Sequence, residues 1–126
     1  MKKFMAMFTG SQTGLNASRW QSMRPEEQQH QILLGMQAWE AWMQTHGSAI
    51  IDAGGPLGKT KLIDHDGIVD TSNALSAYVI VRAENHEAAA AMFIDHPHFR
   101  YFPGDGVEVM ECMPIPGQPQ GSAAGR

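Results

Sequence analysis

Residues 75–114 read LSAYVIVRAENHEAAAAMFIDHPHFRYFPGDGVEVMECMP, and this stretch decides the fold. Leu75 to Ala83 alternates, with Leu75, Ala77, Val79 and Val81 on one face and Tyr78 and Ile80 on the other, which is the period of a strand. Asn85 is a natural N-cap with Glu87 in the first turn, so a helix is expected from His86 to about Ile94. Ala88 to Ala91 are small and let that helix lie close to a sheet, and Pro97 ends it. Gly104 to Gly106 make a turn, and Val107 to Met113 form the last strand. The unit is strand, helix, strand.

The upstream half repeats the unit. Lys2 to Thr9 alternates with apolar residues on both faces, so this strand is expected to be covered on both sides. Residues 10–22 are polar and turn-rich and read as a loop, with Trp20 an anchor onto the core. A helix begins at Pro25, where a missing N–H costs nothing, with Glu26 and Glu27 at the positive end of the helix dipole. Its apolar stripe is Ile32, Met36, Trp39 and Met43, and Gly47 stops it. Ser48 to Ala53 follow as a short strand, and Gly54-Gly55-Pro56 permits a bulge or tight turn. Lys59 to Ile63 and Ile68 to Asp70 flank an Asp66-Gly67 hairpin signal.

Strand-helix-strand, a hairpin insertion and strand-helix-strand again define an α+β fold. It is the ferredoxin-like, split βαβ plan, with an antiparallel sheet and two helices on one face. The other face needs cover, and a second copy of the same sheet would supply it, so a homodimer is expected. The domain is expected over residues 1–116, with a flexible Pro/Gly/Ser-rich tail over 117–126 that cannot pack a core.

Composition narrows the function classes. Nine basic against 13 acidic residues give a net charge of −4 with no basic stripe, which disfavours nucleic-acid binding. One cysteine, Cys112, allows no internal disulfide, and it reads as a small buried apolar residue. No stretch approaches a membrane span and no signal-peptidase site follows the N-terminus, so a cytoplasmic protein without membrane association is expected. Gly58-Lys59-Thr60 leads into a strand and is no phosphate loop, and no redox-cofactor or metal motif is present, so no cofactor and no metal are expected. Asp64-His65-Asp66-Gly67 lacks the later ligands of a calcium loop and reads as the hairpin turn.

Chemistry concentrates at Asp95-His96-Pro97-His98. His96 or His98 could act as a general base, with Asp95 fixing the tautomer, because imidazole titrates near neutral pH. The negative end of the preceding helix is expected to raise a histidine pKa there. The alternative is that one imidazole caps the helix and the other is solvated. Trp39 and Trp42 pack the core or wall a pocket for an aromatic ligand, and Tyr78 joins them as a ligand-binding candidate if its face turns into the cleft, with a hydroxyl partner needed if buried.

Four segments in order resemble one family. They are Trp39-Glu40-Ala41-Trp42 before Gly47, then Ala53 to Leu57 (AGGPL), then Asn73 to Val81 (NALSAYVIV), and last His96-Pro97-His98-Phe99 with Gly106 to Val109 and Met113-Pro114. Together they resemble the YCII-related domain family, which includes the DGPF proteins. The resemblance implies a bacterial dimeric α+β barrel with a cleft between sheet and helices. It also implies a His–Asp pair in that cleft in some members, and one relative that is a dehydrochlorinase acting on an aromatic substrate. Two departures stand out: Ala38 occupies the helix position where enzyme-like members carry a histidine, and DTSNAL at 70–75 replaces Asp-Gly-Pro-Phe. The expected function is a small-molecule binding protein or enzyme with a His/Asp site. The alternative is a non-catalytic dimeric regulatory module, since DGPF members are associated with sigma-factor regulation.

Overall fold

In the computed structural model, which describes residues 1–11 and 15–117, a four-stranded antiparallel sheet carries helices on one face. The elements are β1 (Lys2–Thr9), α1 (Leu15–Gln21), α2 (Pro25–Thr45), β2 (Ile50–Pro56), β3 (Thr60–Asp64), β4 (Gly67–Thr71), β5 (Leu75–Ala83), α3 (His86–Ala91), α4 (Pro97–Arg100) and β6 (Gly106–Glu111). The sheet order is β2-β5-β1-β6, and β3-β4 form a separate ribbon. This is the ferredoxin-like, split βαβ α+β fold with the hairpin inserted before the second half. The tail expected beyond Gly117 lies outside the described residues.

Register explains the core. Phe4 pairs with Val81, Ala6 with Val79 and Phe8 with Ala77, which lines their side chains on one face. Ala6 and Phe8 also face Val109 and Val107 of β6. Trp42 of α2, Ala89 of α3 and Phe93 close over this face. Each fully buried large side chain here contributes roughly 1.5–3 kcal/mol. Met5, Met7, Ile80 and Met110 lie on the opposite face, which no helix covers among the described residues; Met5, Met7 and Ile80 are partly exposed, and Met110 is exposed. Cys112, expected buried, is only partly so.

Four local expectations need correction. Residues 10–22 are not all loop, because Leu15–Gln21 coils into α1. Ser48 and Ala49 belong to a 3-10 turn, so β2 starts at Ile50. The second helix ends at Ala91 rather than near Ile94, since Met92 to Ile94 bond back only three residues. Pro97 then starts α4: its fixed φ suits a first helical position, and the His96 imidazole caps the turn.

A methyl group at Gly35, inside α2, would come within 2.8 Å of Tyr101 and closer still to the Phe102 ring. The bare backbone there lets the segment after α4 lie against α2, which forms one wall of the site.

Candidate active-site cleft

The site grows from the turn between α3 and α4. Asp95 reverses the chain with φ 57, the left-handed region that a short polar residue tolerates. His96 follows as the N-cap of α4, and its Nδ1 accepts the backbone N–H of His98 at 3.0 Å. A nitrogen that accepts carries no proton, so neutral His96 holds its hydrogen on Nε2. That nitrogen is buried and has no hydrogen-bond partner among the described residues. Aromatic rings surround it instead: Trp39 and Trp42 each lie 4.6 Å away by centroid at steep angles, and Phe8 lies at 4.9 Å. Burial, then the neighbouring His98 and His46, push the His96 pKa down to about 3. The imidazole is neutral throughout the physiological range.

His98 is the histidine that reaches the cleft. Its Nε2 lies 2.9 Å from the carbonyl oxygen of Thr9, and a carbonyl only accepts, so Nε2 carries the proton. The lone pair of neutral His98 is therefore on Nδ1. The same Thr9 oxygen also accepts the Asp105 N–H at 2.9 Å, which ties β1, α4 and the start of β6 to one atom. A methyl group at Gly104 would overlap the His98 ring, so only glycine lets the backbone pass there. Desolvation lowers the His98 pKa, while the Thr9 hydrogen bond and the charge of Asp105 pull it back up. The helix-end effect expected from the sequence does not govern either imidazole, because burial outweighs it and α3 ends well before them.

His98 borders a cleft of about 730 Å³ between α1, α2 and the sheet. Trp20, Ile32, Met36 and Trp39 supply large apolar walls. Ala53, Gly55 and Ala77 border it with little side-chain bulk. Ser11, Gln21 and Ser76 add neutral polar groups, and among the described residues no Lys, Arg, Asp or Glu lines the space.

The residues singled out in the sequence separate here. His98 and Trp39 meet at the cleft, and Trp39 also touches His96. His96 lies beneath the cleft and does not line it. Trp42 is core: its Nε1 donates to the Met92 carbonyl at 2.8 Å and its ring packs on Phe93. Tyr78 borders the cleft from β5, but its hydroxyl donates to Asp52 Oδ2 at 3.3 Å, whose charge raises the Tyr78 pKa. Asp95 is exposed, and the carboxylate that acts on His98 is Asp105. Asp105 accepts from the Ser11 backbone N–H at 2.6 Å and from Asn16 Nδ2 at 3.4 Å, so it also fastens α1 over the cleft. Asp105 and Thr9 are far from His98 in sequence or separated by an aromatic loop, and no local pattern marks them. Among the described residues no group of three His, Cys, Asp or Glu side chains is arranged to hold a metal ion, and no helix is long and apolar enough to cross a membrane.

No family model matches the chain, and no curated protein matches it by sequence. The fold class is nonetheless shared with solved structures. The chain is similar to the 5-chloro-2-hydroxyhydroquinone dehydrochlorinase of Burkholderia phenoliruptrix AC1100, solved in complex with 2,5-dihydroxybenzoquinone. The TM-score is 0.51 and the identity 17%, over 88% of this chain and 93% of that one. At that identity the likeness shows the α+β fold alone.

Proposed function

We propose that the cleft binds a small organic molecule and that His98 takes a proton from it. The observation that carries this reading is the His98 imidazole, held by Thr9 in the Nε2–H form at the border of a roomy apolar cleft. In this arrangement Nδ1 is the basic nitrogen. The proton leaves a carbon or hydroxyl of the ligand and joins Nδ1, and the imidazolium that results is stabilised by the Thr9 carbonyl and by Asp105. Asp105 thus fills the role the sequence gave to Asp95. Proton abstraction is a step that eliminations share, and the similar fold of a dehydrochlorinase bound to a ring compound is in keeping with it. On this reading the chain is a bacterial, cytoplasmic member of the YCII-related family over residues 1–116. It works as a homodimer whose sheets cover Met5, Met7, Ile80 and Met110.

The test is a ring-resolved NMR titration of His98 in the wild type and in Asp105→Asn. The wild type should show the Nε2–H tautomer at neutral pH, and Asp105→Asn should titrate at lower pH. A predominant Nδ1–H tautomer would remove His98 as the base. Light scattering gives the assembly, and a monomer at micromolar concentration would remove the dimer.

A further inference from the structure

The lining of the cleft selects the ligand by charge and size, and this inference rests on the reading of the cleft as a small-molecule site. We infer that the ligand is electrically neutral, carries no phosphate or carboxylate, and has a fused or extended ring system larger than one ring.

Charge comes first. An ion taken out of water is tolerated only when a counter-charge or a full set of hydrogen bonds meets it. The cleft offers Ser, Gln, Tyr and His side chains and no cation among the described residues. His98 is a poor counter-charge, because burial disfavours its charged form despite the opposing pull of Thr9 and Asp105. Asp105, close enough to influence His98, adds negative potential that repels an anion. A phosphorylated or carboxylated compound would lose its hydration and meet no Lys or Arg among the described residues of the lining. The lining sets this chain apart from its structural neighbour: 2,5-dihydroxybenzoquinone is a vinylogous diacid, ionised at neutral pH, and among the described residues this cleft presents no Lys or Arg to receive it.

Size follows from the volume. A cavity of roughly 150 Å³ already accommodates a benzene ring. The space of about 730 Å³ lies within the span of pockets that enclose drug-sized molecules. Its walls are rings and long apolar chains from four segments: Trp20 on α1, Ile32, Met36 and Trp39 on α2, Phe102 after α4, and Pro56 on β2. A single ring would leave much of that wall wet. Ile32 and Met36 are 39% and 62% exposed without it, which is unusual for the apolar stripe of a helix and fits a surface waiting to be covered.

The probes are 2-naphthol, 2-naphthoate, phenol and 2,5-dihydroxybenzoquinone, followed at neutral pH by tryptophan fluorescence and confirmed by calorimetry. 2-Naphthol should bind at least tenfold more tightly than 2-naphthoate and than phenol, and 2,5-dihydroxybenzoquinone should bind no better than 2-naphthoate. Met36→Lys, which places a cation on the wall, should narrow or reverse the preference for 2-naphthol over 2-naphthoate. Equal or tighter binding of either anion by the wild type overturns the charge assignment, and phenol matching 2-naphthol overturns the size assignment; both leave the cleft itself intact. Absence of binding by all four probes removes the small-molecule reading together with this inference.

Discussion

The same two layers meet at both ends of α2, and the two ends differ. At the C-terminal end, Trp42 presses onto Phe93 and the interface is filled, with Phe4, Val81 and Ala89 fully or almost fully buried. At the N-terminal half, Ile32 and Met36 hang over Ala77 and Gly55 with open space between. The helix repeats one apolar stripe along its length, so the stripe does not cause the difference. What faces the stripe does. Large rings from β1 and the post-α3 turn fill one end, whereas alanines and glycines of β2 and β5 leave the other hollow. An amphipathic helix therefore contributes a packed interface at one end and the wall of an open cleft at the other.

The largest expected effect tests that division directly. Trp42→Ala should lower the unfolding free energy by about 3–5 kcal/mol, the range for deleting a large buried side chain and leaving its cavity. Met36→Ala, on the same stripe, should change it by less than about 0.5 kcal/mol because the side chain is mostly in water. Urea melts of both variants give the comparison. Similar losses would mean that the open end is packed in solution and that no cleft persists there.

A smaller effect sharpens the boundary between the two ends. Gly104→Ala forces a methyl group into the His98 ring, and the ring cannot withdraw without giving up Thr9. The cost should be about 1–3 kcal/mol, as for overpacking a filled site. The same variant should disturb the His98 tautomer in NMR spectra while leaving the β1-β5 amides unchanged. A native His98 signature in a folded Gly104→Ala protein would show that the loop is free to move aside.

Legibility in the sequence follows the reach of the interactions. The strands, α2 and the β3-β4 hairpin come from alternation, from a four-three spacing and from Asp-Gly, all of which act within a few residues. The ferredoxin-like order then follows, because each element needs a neighbour to bury its apolar side. Core and pocket-wall readings apply equally to Trp39 and Trp42 in the sequence, because one stripe gives no means of separating them; the structure places Trp39 at the cleft and Trp42 in the core. Helix α1 was hidden by Gly10, Ser11 and Asn16, which read as a loop. In the structure Asn16 Nδ2 instead donates to the Gly104 carbonyl at 2.8 Å, a partner 88 residues away. The position of Asp105, rather than Asp95, near His98 was hidden for the same reason: proximity along the chain suggested Asp95, which the fold leaves exposed.

The two histidines carry the comparison down to single side chains, through the pH dependence of stability. Both imidazoles titrate below the ordinary histidine value in the folded protein, so protons bind more readily to the unfolded chain. Stability is then complete above about pH 6.5 and falls as pH drops through that value, continuing for His96 until its folded pKa of about 3. Between about pH 7 and pH 5 the loss from His96 should be on the order of 2 kcal/mol, with His98 adding to it in the same direction. His96→Asn removes the titrating ring yet keeps an N-cap side chain that can accept the His98 N–H, because asparagine is among the best capping residues. That variant should therefore unfold with a flatter pH profile than the wild type while retaining α4. His96→Ala should be flatter too but lose about 1 kcal/mol more than His96→Asn at neutral pH, because it gives up the cap as well as the ring. If the wild type and His96→Asn show the same slope from pH 7 to pH 5, the buried imidazole is not held neutral by its aromatic cage, and the filled end of the interface is more open to water than its packing implies.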